Sequence, residues 1–375
     1  MSTILPIKTL VALLSVSLTV ASALDVSLPA WKHLSSRNGD LPEPNGGAQQ
    51  TAAVIFDTDG DKLADIVIAE RTKAPSLIWL RRTKTGWDKY VIDDTKQTPE
   101  AGGAFHDVDG DSDLDLVIGG DYRSDELWWY ENPAPHFDPK APWKKHLIKQ
   151  GGGKAHHDQA IADFKGDGKV QLMFWNQGAR KLFMAEIPDN PRTAKSWPLT
   201  EIIDTATIRT ANKQEGMDVF DVDGDGKPDL LAGIYWFKYL GKNDFKPTQI
   251  CAHPGRLAAG RFKPGKFPQI VVGPGDGDGP LLFIECQGDS PVDPKSWVSR
   301  DLLGRKVIHG HSLQLGDLNG DGHLDIFAAE MAQWTESKSG PDHPAATAWI
   351  LYGAGLGNFK TTLFPTGFGF QEARL

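Results

Sequence analysis

Short apolar runs bounded by turn residues recur along the whole chain. Ala52 to Phe56, Ile66 to Ala69, Leu77 to Leu80 and Trp87 to Ile92 form a first group of four. Later groups repeat it: Ala160 to Ala162, Leu172 to Trp175 and Leu182 to Met184, then Ile270 to Val272, Leu281 to Ile284 and Trp297 to Leu302. Leu127 to Tyr130, Trp143 to Ile148 and Trp349 to Leu351 belong to the same series. Runs this short, rich in β-branched and aromatic residues and closed by Gly, Pro and Asp, predict strands. No long stretch has helical periodicity. The 40 glycines and 25 prolines of 375 residues suit a turn-rich all-β chain.

The link between the first and second run of a group is unusually acidic. Four links carry oxygen ligands at positions 1, 3, 5 and 9: Asp57, Asp59, Asp61 and Asp65; Asp107, Asp109, Asp111 and Asp115; Asp221, Asp223, Asp225 and Asp229; Asp317, Asn319, Asp321 and Asp325. So many carboxylates in nine residues repel one another unless a cation sits among them. Calcium fits best, because it accepts many oxygens in flexible geometry. The pattern departs from an EF-hand, whose twelfth residue is a bidentate Glu. Here the twelfth residues are Ile68, Ile118, Ala232 and Ala328. Two further copies are degenerate. Lys165 and Gln171 replace ligands in the copy that begins at Asp163, and the copy at Arg261 keeps no carboxylate. Both are expected to persist as turns alone.

The first loop positions fall at 57, 107, 163, 221, 261 and 317, at intervals of 40 to 58 residues. That spacing suits one four-stranded unit per repeat, as in a β-propeller blade. The Asp-x-Asp/Asn-Gly-Asp-Gly-x-x-Asp loops resemble the FG-GAP/VCBS repeats of calcium-binding β-propellers, the family that includes the integrin α-subunit head. Trp128-Trp129-Tyr130-Glu131-Asn132-Pro133 and His309-Gly310-His311-Ser312 are similar to segments of secreted bacterial VCBS-repeat proteins. The resemblance runs from about Thr51 to the C-terminus and implies structural calcium in the four complete loops, which would join the first two strands of each blade on one face. Residues 24–375 are therefore expected to form a single all-β propeller, with six recognisable blades and the terminal strands of an incomplete seventh. Trp31 to Leu34 is expected to be an outer strand of that seventh blade, and Gly369 to Leu375 an inner one.

Residues 1–23 read as a secretory signal: Lys8, an apolar run from Leu10 to Val20, then Ala21-Ser22-Ala23. A secreted or periplasmic protein is expected, with no membrane span after cleavage. The formal charge of −9 argues against nucleic-acid binding. Cys251 and Cys286 either pair or remain thiols. A monomer is expected.

Inner strands of a propeller line its channel. Counting six residues back from each loop start selects Thr51, Ala101, His157, Glu215, Gly255 and His311, and Gln371 if a seventh loop followed. His157, Glu215 and His311 thus fall in one layer near the channel mouth, away from the calcium loops. His156, Gln214 and His309 lie slightly further out. Second strands return Glu70, Arg71, Asp121, Tyr122, Arg123, Tyr235, Trp236 and Glu330 to the same mouth. Imidazole and carboxylate converging there suit a transition metal, or general acid–base chemistry. Arg71 or Arg123 would clamp a substrate carboxylate. Polar residues are also ordinary at a wet channel mouth. Trp128, Trp129 and Tyr130 occupy positions that are Leu, Ile or Phe in other repeats and read as core, whereas Trp236 and Trp334 are candidates for stacking on a sugar. The leading expectation is a module that binds a glycan or a cell-surface protein. The rival is a polysaccharide lyase or hydrolase that uses His157, Glu215 and His311.

Overall fold

In a computed structural model, the described residues are 28–206, 214–331 and 346–364. They form six four-stranded antiparallel sheets arranged as the blades of a propeller. The inner strands are Gln50–Phe56, Ala104–His106, His156–Ala162, Met217–Phe220, Leu257–Gly260 and Ser312–Gly316. From the second blade to the sixth, each inner strand touches the next. A two-stranded ribbon, Asp278–Gly279 with Val307–Ile308, rises from the fifth blade, and a 3₁₀ turn spans Pro294–Ser296. There is no α-helix among the described residues, and so no helix long and apolar enough to cross a membrane.

Strand alternation builds the core. Side chains of successive residues point to opposite faces of a blade, so each face packs on a different neighbour. In Leu127–Glu131, Trp128 and Tyr130 join Val54, Val67 and Trp79 of the first blade. Leu127 and Trp129 join Leu172 and Phe174 of the third. Equivalent seams lie between the third and fourth, fourth and fifth, and fifth and sixth blades. The Trp-Trp-Tyr run is therefore core, as its position predicts.

The register at the first turn is the same in all six blades. Position 9 pairs with the residue just before the loop: Asp65 with Phe56, Asp115 with His106, Gln171 with Ala162, Asp229 with Phe220, Gln269 with Gly260 and Asp325 with Gly316. The two degenerate loops thus keep the same turn.

The terminal strands differ from expectation. Residues 31–34 form no strand. Trp31 instead packs edge-on against Phe364 of the sixth blade, with ring centroids 5.7 Å apart, and donates from Nε1 to the Tyr352 hydroxyl at 3.3 Å. An edge-on aromatic contact on an existing blade takes the place of backbone pairing, with Trp31 still half exposed. The expected inner strand at 369–375, Gln371 included, and the signal at 1–23 lie outside the described residues. Cys251 and Cys286 are both free thiols.

Candidate functional site

The acidic loops owe their shape to backbone capture. The position 1 carboxylate accepts N–H groups from positions 5 and 6: Asp57 from Asp61 at 3.1 Å and Lys62 at 2.8 Å, Asp317 from Asp321 at 3.0 Å and Gly322 at 2.8 Å. Position 4 is left-handed and is filled by Gly60, Gly110, Gly224 and Gly320, since glycine meets no Cβ penalty there. The position 9 side chain fastens the loop from below. Asp65 accepts from Thr58 N–H at 3.1 Å and Arg82 N–H at 2.7 Å, Asp115 from Val108 at 2.9 Å and Asn132 at 2.8 Å, and Asp325 from Leu318 and Gly353 at 2.8 Å each. Asp229 accepts from Val222 at 3.0 Å. In the degenerate fifth loop Gln269 does the same work, accepting from Phe262 at 2.9 Å. An amide oxygen can hold the turn, so the turn outlives the carboxylate.

The upper carboxylates converge. Asp57, Asp59 and Asp61 place one oxygen each within 4.8 Å of the others, as do Asp107, Asp109 and Asp115, and Asp221, Asp223 and Asp225. Basic side chains lean over each group: Arg81 on Asp59 and Asp61, Arg192 at 2.6 Å from Asp109 and Asp111, and Lys238 at 2.9 Å from Asp223 and also on Asp225. The second loop is the most crowded with buried carboxylate. Asp109 Oδ1 is buried without a hydrogen bond among the described residues, while Oδ2 faces the Arg192 guanidinium. Burial and the neighbouring Asp111 carboxylate push Asp113 up to about 7, and burial pushes Asp115 up to about 8. An all-oxygen donor set with a buried, unbonded Asp109 Oδ1 fits a hard divalent ion. Asp57, Asp59 and Asp61 would hold one such ion, Asp107, Asp109 and Asp115 a second, and Asp221, Asp223 and Asp225 a third.

At the opposite end of the inner strands lies a cleft of about 720 Å³, lined by residues of the first, second, third, fifth and sixth blades. His157, His309, His311, Arg71, Glu100, Tyr122, Gln177 and Asp276 face it. The count of six residues thus brings His157 and His311 into one cleft. Glu215 is adjacent, its Oε2 3.8 Å from His157 Nε2 and its Oε1 accepting the Asp276 N–H at 2.6 Å. His311 Nε2 lies 2.7 Å from Asp276 Oδ1.

Three residues of this site have no counterpart in the six-residue count: Asp158, Arg256 and Asp276. Asp158 is an extra residue in the pairing of its strand, between Gln159 opposite Phe174 and His157 opposite Trp175, and its φ is +46°. This bulge re-aims the side chain. Its carboxylate meets His157 Nδ1 at 2.6 Å, accepts the Gly216 N–H at 2.7 Å and pairs with Arg256. Burial alone would raise the Asp158 carboxyl, but Arg256 and His157 hold it well below the usual carboxylate range. Burial alone would lower His157, but the Asp158 charge lifts it to about 9. His157 is an imidazolium at neutral pH, oriented from behind by a carboxylate. Adjacent His156 is the reverse: burial and Lys149 push it down to about 3, so it is a neutral core residue. Asp276 lies in the glycine-rich turn Gly273-Pro274-Gly275-Asp276-Gly277, the one sequence signal that would have found it.

Arg71 reaches Gln49 at 2.7 Å and Glu100 at 3.5 Å on the cleft wall. Arg123 turns back onto Asp121 at 2.5 Å and lies 5.0 Å from the ring centroid of Tyr122, a residue that is 63% exposed. Glu70 and Glu330 are clamps for their own loops, accepting backbone N–H groups from Lys73 and Thr347 respectively. Trp236 does not stack in the cleft. It is 0% exposed, in the seam between the fourth and fifth blades, because the second blade strand ends at Ala232 and its successor already begins at Tyr235. Trp334 lies outside the described residues.

The protein this geometry defines is a six-bladed β-propeller with an acidic-loop face and a polar cleft at the other face. No family model matches the chain, and no curated protein does. Among solved structures it is similar to AofleA from Arthrobotrys oligospora, at 10% identity over 88% of this chain and 89% of that one, with a TM-score of 0.44. It is similar to the V. cholerae biofilm matrix protein Bap1 at 15% identity and a TM-score of 0.35, over 63% of this chain and 37% of that one. Rhamnogalacturonan lyase YesW matches at 14% identity and a TM-score of 0.39, over 84% of this chain and 60% of that one. The chain spans little more than a third of Bap1 and three fifths of YesW, and likenesses of this size carry no argument about activity.

Proposed function

We propose that this is an exported, calcium-stabilised propeller of the FG-GAP/VCBS type that binds a glycan in the cleft opposite its acidic loops. The observation that carries the glycan reading is the lining of the 720 Å³ cleft. It combines hydrogen-bonding and charged side chains on Gln49, Arg71, Glu100 and Gln177 with the exposed ring of Tyr122. A hydroxyl-rich ligand needs dense donors and acceptors with an aromatic surface beside them. Asp109 Oδ1, buried without a hydrogen bond among the described residues, supports calcium in the loops. The Lys8 to Ala23 pattern supports export.

The test is titration calorimetry against a panel of neutral and uronic-acid oligosaccharides, with Arg71→Ala and Tyr122→Ala beside the wild type. Binding that weakens about tenfold in either variant supports the cleft, in line with the loss of one good polar or stacking contact. Wild-type binding unchanged in both variants, or no binding across the panel, removes the reading.

A second reading, a polysaccharide lyase or hydrolase, is favoured by one observation: the His157–Asp158 pair, an imidazole fixed by a carboxylate beside an open cleft. Such a pair can move a proton on a bound sugar. Turnover on the same panel, abolished in His157→Ala with the melt unchanged, would establish it. Undetectable wild-type turnover would dismiss it.

A further inference from the structure

Three side chains from three blades meet at the rim of the cleft. Glu215 precedes the inner strand of the fourth blade, Asp276 lies between the second and third strands of the fifth, and His311 precedes the inner strand of the sixth. One ligand atom from each lies within 4.8 Å of the others. Glu215 is 4% exposed and His311 6%. Glu215 Oε2 and His311 Nδ1 are both buried without a hydrogen-bond partner among the described residues. A buried carboxylate oxygen left unbonded beside an imidazole and a second carboxylate is costly unless something occupies the space next to it.

The arrangement is held in place. Glu215 is fixed through Oε1, which accepts the Asp276 N–H at 2.6 Å, so Oε2 is the atom it can offer. That approach requires Gly275: its φ is +59°, and a Cβ there would collide with Glu215 Oε1. His157, tied to Asp158, sits beside the trio with Nε2 3.8 Å from Glu215 Oε2.

We propose that Glu215, Asp276 and His311 bind one divalent transition ion, of the zinc or manganese type, at the channel mouth. The donor set separates this site from the acidic loops. Those loops offer oxygen only, which suits calcium, whereas one imidazole with two carboxylates suits zinc, manganese or iron(II). Three protein ligands at the edge of an open cleft leave coordination positions for water or a ligand hydroxyl. The proposal does not rest on glycan binding, although Asp276 and His311 line the same cleft, and metal retention is read without any glycan.

The test is metal retention. Protein stripped by chelator is reloaded with excess calcium, incubated with zinc chloride or manganese chloride, dialysed against calcium buffer and counted by elemental mass spectrometry. We expect one zinc or manganese per chain beyond calcium. Glu215→Gln, Asp276→Asn and His311→Ala each weaken its retention at least about tenfold, with calcium content unchanged. The Asp276 side chain is 46% exposed, so its replacement leaves the fold intact and separates ligand loss from unfolding. No transition ion retained by the wild type would overturn the proposal. So would equal retention in the wild type and the Asp276→Asn variant, the signature of adventitious surface histidines.

Discussion

His157 and Asp158 are chain neighbours on one strand, yet their side chains touch, with Nδ1 2.6 Å from Oδ2. Successive strand residues ordinarily point to opposite faces. The bulge at Asp158 breaks that rule and turns both groups into the channel. Through Asp158 the third blade reaches the fourth, by the Gly216 N–H, and the fifth, by Arg256. It also reaches the second, since the Asp158 N–H donates to the Ala101 carbonyl at 3.0 Å.

This pair makes stability depend on pH above neutrality. His157 is raised from 6.5 to about 9 in the folded protein. Its contribution is therefore complete below pH 6.5 and is lost as pH rises through about 9. Melting temperature should fall across that window, and His157→Gln should flatten the fall. An identical profile in the variant would refute the assignment. His156, lowered from 6.5 to about 3, acts in the opposite sense: its contribution is present above pH 6.5 and is lost as pH falls toward 3.

Removing either group of the Asp158–Arg256 pair strips a buried charge of a main partner. Asp158→Asn or Arg256→Met should cost about 3–5 kcal/mol, measured by urea unfolding. The double replacement should cost less than the sum of the two. Additive losses would mean that the two groups act separately.

Calcium should stabilise the native state by linkage. At a thousandfold excess over its dissociation constant, each site adds about 4 kcal/mol. A chelator should therefore lower the melting temperature, and Asp109→Asn should reduce the calcium-dependent part of the shift. A melt indifferent to chelator would count against structural ions in these loops.

Trp236 belongs to the core. Trp236→Ala should destabilise by about 3–5 kcal/mol. Any wild-type glycan affinity should survive in the fraction that remains folded, as read by calorimetry below the melt. A selective loss of affinity in a variant of normal stability would place the ring at a ligand instead.

Much of the fold was legible because its signals are local. Apolar runs such as Leu77 to Leu80 and Leu172 to Trp175 lie within observed strands. The equal register at six turns let residues far apart in sequence be placed in one layer, which is how His157, Glu215 and His311 were found. Trp31 misled, because the Trp-led pattern of an outer strand also serves a ring that packs on a finished blade.

Sequence alone determined the repeat, the four-stranded unit and the acidic loops, since each depends on residues within a few positions of one another. Tertiary structure decided the rest of the site. Asp158 enters it through a bulge, Arg256 by reaching across two blades, and Asp276 through a glycine turn that must clear the Glu215 carboxylate. Such encounters depend on how separate blades are set around one axis. That setting comes from packing at the seams, summed over many side chains, and no local pattern records it.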